Sequence, residues 1–145
     1  MKKILILLVL IVSLLGCSSV VAVVDQEVIS RLELGRLIAQ HLGVGIIISI
    51  ERGEYEIIPS RRFDVLLKEF YPQGSPLDAA VGLKTLSQFI AIKGAVGIAL
   101  LGPSDDSKYW VVYLNEDKIL YLVDPVSKDV VLWDWIQAEG AWVSF

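Results

Sequence analysis

A thiol and an imidazole within hydrogen-bond reach, about 3 Å, can carry out nucleophilic catalysis. This chain holds one cysteine, Cys17, and one histidine, His41. Cys17 lies in an apolar N-terminal stretch, whereas His41 falls near the end of the first expected helix, where imidazole suits the C-terminal dipole. Their pairing is not expected. A Cys/His zinc site needs about four ligands and an internal disulfide needs two thiols, so both are excluded. No serine sits in a Gly-x-Ser-x-Gly elbow. Gly94, Gly97 and Gly102 lack the strand–loop–helix order of a phosphate cradle.

The carboxylates come in pairs that could do acid–base work or hold calcium: Asp105-Asp106, Glu116-Asp117, and Asp124 with Asp129. The first two pairs fall in expected turns, where aspartate is common for backbone reasons. Asp124 stands apart, directly after the apolar run Ile119–Val123 and before Pro125, where packing can pin a carboxylate at a strand end. The aromatics gather late in the chain, from Tyr109, Trp110 and Tyr113 through Tyr121 and Trp133 to Trp135, Trp142 and Phe145. On strands they could form a sugar- or peptide-binding platform, or simply fill the core and its cross-strand pairs.

The expected elements follow from period and punctuation. Asp25 can cap a first helix to about Leu42, and Gly45–Ile50 and Glu54–Ile58 read as a hairpin about Glu51-Arg52-Gly53. Ser60 is expected to cap a second helix that Pro72 closes. Ser75, Pro76 and Asp78 mark the start of a third, which Gly94 ends. Residues 95–101, 109–114, 119–123 and 129–133 then alternate as four strands. The expected class is α+β, with helices packed on an antiparallel meander.

Five strings in this order carry a family resemblance, beginning with Phe63-Asp64-Val65-Leu66-Leu67-Lys68-Glu69-Phe70, then Asp78-Ala79-Ala80-Val81, then Ala95-Val96-Gly97-Ile98-Ala99-Leu100. Tyr109-Trp110-Val111-Val112-Tyr113 and Tyr121-Leu122-Val123-Asp124-Pro125 follow. Over about Glu54 to Trp133 the chain resembles the papain-like C-terminal domain of certain mushroom agglutinins and related bacterial and phage proteins. More loosely, it is similar to the papain and transglutaminase-like class. The resemblance implies a cysteine nucleophile at the start of the central helix, a histidine on the following strand pair and an acid on the next strand. A helix N-terminus lowers a thiol pKa and an imidazole completes the ion pair. Those positions fall on Ala79 (or Ala80), on Tyr109 (or Trp110 if the register slips) and on Asp124. Only the acid is retained. Agglutinin-type members also use calcium near the acidic string, but Ala80 and Val81 stand where those acids would be. No metal or other cofactor is expected.

Two lysines, Lys2 and Lys3, precede an apolar run from Ile4 to Leu15, and Leu14-Leu15-Gly16-Cys17 follows. This resembles a bacterial lipoprotein signal. The expected organisation is a signal peptide over 1–16, a short tether over 17–24 and one papain-like domain over 25–145. Lipidation at Cys17 would anchor the chain outside the cytoplasm. Cleavage after Val20-Val21-Ala22 would give a secreted protein, and Ile4–Val24 is long enough, at about 20 residues, to act as an uncleaved anchor.

The whole chain of 145 residues is 54% hydrophobic, with mean hydropathy +0.61 and net charge −4. Without Lys2 and Lys3 eleven basic residues face seventeen acids, a charge of −6. Nucleic-acid binding, which needs clustered cations, is excluded, and so is disorder. The expectation is a non-catalytic binding or interaction module at the cell envelope, a pseudoenzyme taking a protein, peptide or glycan ligand. A hydrolase of an envelope polymer using residues other than cysteine, and a purely structural lipoprotein, are the alternatives.

Overall fold

The computed structural model describes residues 26–41, 47–102, 107–133 and 142–145. Within them lie three helices and eight short strands. In order these are β1 (Val28–Ser30), α1 (Arg31–Gln40), β2 (Ile47–Ser49), β3 (Glu54–Glu56), α2 (Ser60–Glu69) and α3 (Pro76–Ser87). Then come β4 (Val96–Leu101), β5 (Lys108–Leu114), β6 (Leu120–Val123), β7 (Val130–Leu132) and β8 (Trp142–Ser144). The class is α+β. Cys17 and the expected signal and tether lie outside the described residues, as do Asp25, Asp105, Asp106 and Trp135. Among the described residues no helix is long and apolar enough to cross a membrane.

β4 to β7 form the expected antiparallel meander, and β8 and β2 extend it in the order β2-β8-β4-β5-β6-β7. β8 runs antiparallel to β4 and parallel to β2. The expected hairpin of the second and third strands therefore does not form. β3 pairs antiparallel with β1 instead, and its Glu54-Tyr55-Glu56 alternation turns Tyr55 inward, in register with Ile29, with the two acids on the outer face. β1 also corrects the expected first helix. Val28 and Ile29 are strand, and Ser30 caps α1 by accepting from the Glu33 N–H at 3.2 Å.

Helices cover both faces of the sheet, which is why the central strands read as nearly unbroken apolar runs. On one face α1 and the β1–β3 ribbon pack Ile29, Leu34, Ile38 and Tyr55 against Leu101, Trp110, Val112 and Leu122. On the other, Phe63, Leu66 and Leu67 of α2 and Ala79, Ala80 and Leu83 of α3 pack against Ile98, Val111, Tyr113 and Val123. Phe63 stacks on Tyr113 with centroids 4.0 Å apart and planes 10° apart, and Tyr113 in turn lies 5.4 Å from Tyr121.

The start of α2 depends on a residue far away in sequence. Pro59, not Ser60, is the N-cap, and it has no side chain able to accept a hydrogen bond. Glu116, in the β5–β6 turn, accepts from the Ser60 N–H at 2.7 Å and from its hydroxyl at 3.0 Å. Buried Asn115 holds that turn by accepting from the Asp117 and Ile119 N–H groups. The Ser60 N–H draws the Glu116 carboxyl below its usual range. A carboxylate with a depressed folded pKa contributes stability above its unfolded pKa and loses it as pH falls through the folded one. Glu116→Ala should therefore cost about 1 kcal/mol at pH 7, its exposure holding the loss near the low end for caps. Urea titrations should show the difference shrinking towards zero below about pH 4.

Candidate functional site

The third helix has the most completely specified start of the three. The Ser75 hydroxyl accepts from the Asp78 N–H at 3.3 Å, and the Asp78 carboxylate takes the Ser75 N–H at 2.9 Å and its hydroxyl at 2.6 Å. Pro76 fills the first helical position. The expected capping box is thus present, although α3 ends at Ser87 and turns follow before Gly94. Hydrogen bonds from Ser75 hold the Asp78 carboxyl below its ordinary range. The end of this helix presents a negative charge beside the position where the resemblance places a thiol.

That position is closed. Ala79 is 2% exposed and Ala80 is fully buried, both within the apolar layer between α3 and the sheet. Tyr109, half-buried near the start of β5, packs against the same layer. Trp110 points the other way, into the α1 side of the core. Of the two registers the sequence left open, Tyr109 is the one that shares a face with Ala79.

Asp124 does not join them. Its Oδ1 accepts from the Val126 N–H at 2.9 Å and the Ser127 N–H at 3.1 Å, and its Oδ2 pairs with Lys108 Nζ at 3.1 Å. Lys108 Nζ in turn lies 4.3 Å from the Trp110 ring centroid. The carboxylate is therefore on the Trp110 side of the sheet and organises the β6–β7 turn. The Asp124 N–H also bonds Asp129 O, and the Lys128 N–H bonds Asp124 O. Partial burial pushes the Asp124 carboxyl upward, but the two N–H donors and Lys108 outweigh it and leave it below its usual range. A carboxylate engaged in this way cannot orient a group at Tyr109.

His41 also lies on the other face. It is the residue just after α1 and stacks on buried Trp133, with centroids 6.0 Å apart, on the α1 side of the sheet. The chain's single imidazole and the Ala79 methyl thus occupy opposite faces. Among the described residues, no group of three or more His, Cys, Asp or Glu is placed to hold a metal ion.

Two concavities lie away from all three positions. One is a shallow apolar depression on α2 bounded by Arg61, Arg62, Val65, Leu66 and Ile90. The other is a cavity of about 160 Å³ at the far end of α3, lined in part by Lys84, Gln88 and Glu51. The sequence reading passed over Lys84 because a lysine in the last turn of a helix ordinarily just complements the dipole.

An α+β fold of this arrangement, with helices on both faces of a mixed sheet, is shared with solved lectin structures. PSL1a in complex with E64 superposes with a TM-score of 0.68 at 9% identity, over 81% of this chain and 50% of that one. A Polyporus squamosus lectin bound to the human-type influenza-binding epitope Neu5Acα2-6Galβ1-4GlcNAc superposes with a TM-score of 0.56 at 10% identity, over 73% of this chain and 45% of the lectin. The chain spans about half the length of either protein. No protein-family model and no curated protein sequence matches it.

Proposed function

We propose that this chain is an exported, lipid-anchored binding module: a papain-like scaffold that has lost its nucleophile and acts without catalysis. The observation that carries the reading is Ala79, a methyl buried in the first turn of a capped helix at the position assigned to a thiolate. A methyl cannot be ionised by any neighbour. The lectin likeness makes a glycan the first ligand class to test, although the epitope in that structure belongs to a chain about twice as long. The contact surface in this reading is the half-buried pair Tyr109 and Tyr121, which lie on the α2–α3 face at the edge of the stacked aromatics. Aromatic side chains with one face open commonly line ligand sites.

The test is an array of envelope glycans and peptides probed with the full chain extracted from membranes. The expected result is saturable glycan binding that falls about tenfold or more in Tyr109→Ala and Tyr121→Ala at unchanged fold, the range for losing one well-placed aromatic anchor. Intact mass should show a chain beginning at Cys17 and carrying a diacylglycerol. Silence on both arrays, or turnover of an envelope polymer by the wild-type chain, would overturn the reading.

A further inference from the structure

The cavity at the far end of α3 is built differently from the closed layer at its start. Lys84, Ser87 and Gln88 of the helix and its C-cap line one side, and Glu51 and Tyr55 line the other. Val96 and the Phe145 ring close the apolar floor. Three of the six polar side chains here are already engaged. The Tyr55 hydroxyl donates to Glu51 O at 3.1 Å, and the Ser87 hydroxyl donates to Lys84 O at 2.6 Å. Lys93 donates its ammonium to Arg52 O and lies 4.9 Å from the Tyr55 ring centroid.

Lys84, Glu51 and Gln88 have no side-chain partner among the described residues, and of these Lys84 is the cation. Lys84 is half-buried, and its ammonium has no hydrogen-bond acceptor or ion pair among the described residues. Glu51 lines the same cavity but lies beyond ion-pair distance of it. A cation that has given up water without gaining an acceptor is stabilised by an anion brought to it. Burial accordingly pushes the Lys84 ammonium down, and Glu51 only partly offsets this. The volume, about 160 Å³, is close to the roughly 150 Å³ that encloses a benzene ring, so it suits about six non-hydrogen atoms.

We infer that this cavity binds a small hydroxycarboxylate, its carboxylate paired with Lys84 and its hydroxyl donated to Glu51. The carboxylate of Glu51 selects the ligand's charge as well. It disfavours a dianion such as phosphate, whereas a monoanion with a neutral donor satisfies both walls at once. Because the site lies at the opposite end of α3 from the Ala79 layer, it holds whether or not a glycan binds at Tyr109 and Tyr121.

The experiment is saturation-transfer NMR of the lactate methyl with the full chain, alongside inorganic phosphate as competitor. Lactate, with six non-hydrogen atoms, should bind in the millimolar range. Lys84→Met should weaken it about tenfold or more, and Lys84→Arg should retain it. Glu51→Gln should weaken lactate and make phosphate a better competitor. Absence of a saturable lactate signal, or an unchanged titration in a folded Lys84→Met variant, would overturn the site. Phosphate competing as strongly as lactate against the wild-type chain would overturn the assignment to a hydroxycarboxylate.

Discussion

Replacing Gly97 with alanine is expected to cost about 2–3 kcal/mol and to lower the melting temperature by about 10 °C, the scale for overpacking in a domain of this size. A Cβ at Gly97 would stand 2.7 Å from Ser144 O and 2.8 Å from Phe145 Cδ2. The first of these is backbone and cannot rotate away. Gly97 lies in β4 directly beside the stretch where Ile98 pairs with Ser144, so relief requires β8 to move off β4. β8 also lies between β4 and β2 in the strand order, and Phe145 anchors that corner. Its ring meets Tyr55 edge-on, with centroids 6.3 Å apart, and its N–H bonds Ser49 O at 3.0 Å. One methyl group therefore loosens two strands. Gly82→Ala is the internal comparison, because its Cβ would meet the Phe70 ring at an ordinary 3.5 Å inside α3. That substitution should be neutral or stabilise by up to about 1 kcal/mol, through the smaller freedom of the unfolded chain. Thermal unfolding of the two variants side by side separates a close backbone approach from general intolerance of added bulk.

Features fixed by neighbouring residues were legible in the sequence. The Ser75–Asp78 capping box is a four-residue device, and its hydrogen bonds form as its pattern predicts. The strands β4 to β7 follow one another with short turns, so their antiparallel order needed nothing beyond alternation and punctuation. What could not be read depends on contacts between distant segments. β8 is only three residues long, too short to show a period, and it pairs with β2, where Ile47 meets Trp142 across 95 positions of sequence. The pairing of β3 with β1 rather than β2 likewise depends on which faces α1 leaves to be covered. Glu116 looked like a solvated turn residue, and only the position of α2 reveals it as that helix's missing cap.

The site shows the same division. Ala79 lies within one apolar layer and Tyr109 packs against that same layer. Asp124 illustrates the ambiguity of an acid at the end of a strand. The same residue before Pro125 can orient a catalytic partner or nucleate an Asx turn, and here Val126, Ser127 and Lys108 occupy its oxygens. Strand parity carried a signal that could have separated the two. Val111 pairs with Val123, so continuing the ladder sets Asp124 across from Trp110 rather than Tyr109.

The central claim is that the first turn of α3 is closed and does not support thiol chemistry. Alkylation of an Ala79→Cys thiol in a Cys17→Ser background tests it most directly. Ala79 is 2% exposed and sits beside the ionised Asp78, so burial and a neighbouring negative charge both oppose the thiolate. The thiol should react with iodoacetamide roughly a thousandfold more slowly in the native chain than in urea, the factor that local opening at about 4 kcal/mol would impose. No hydrolytic activity should accompany the substitution. A native thiol that reacts as fast as the unfolded one, ionised already near pH 6, would contradict the claim and show a living nucleophile position.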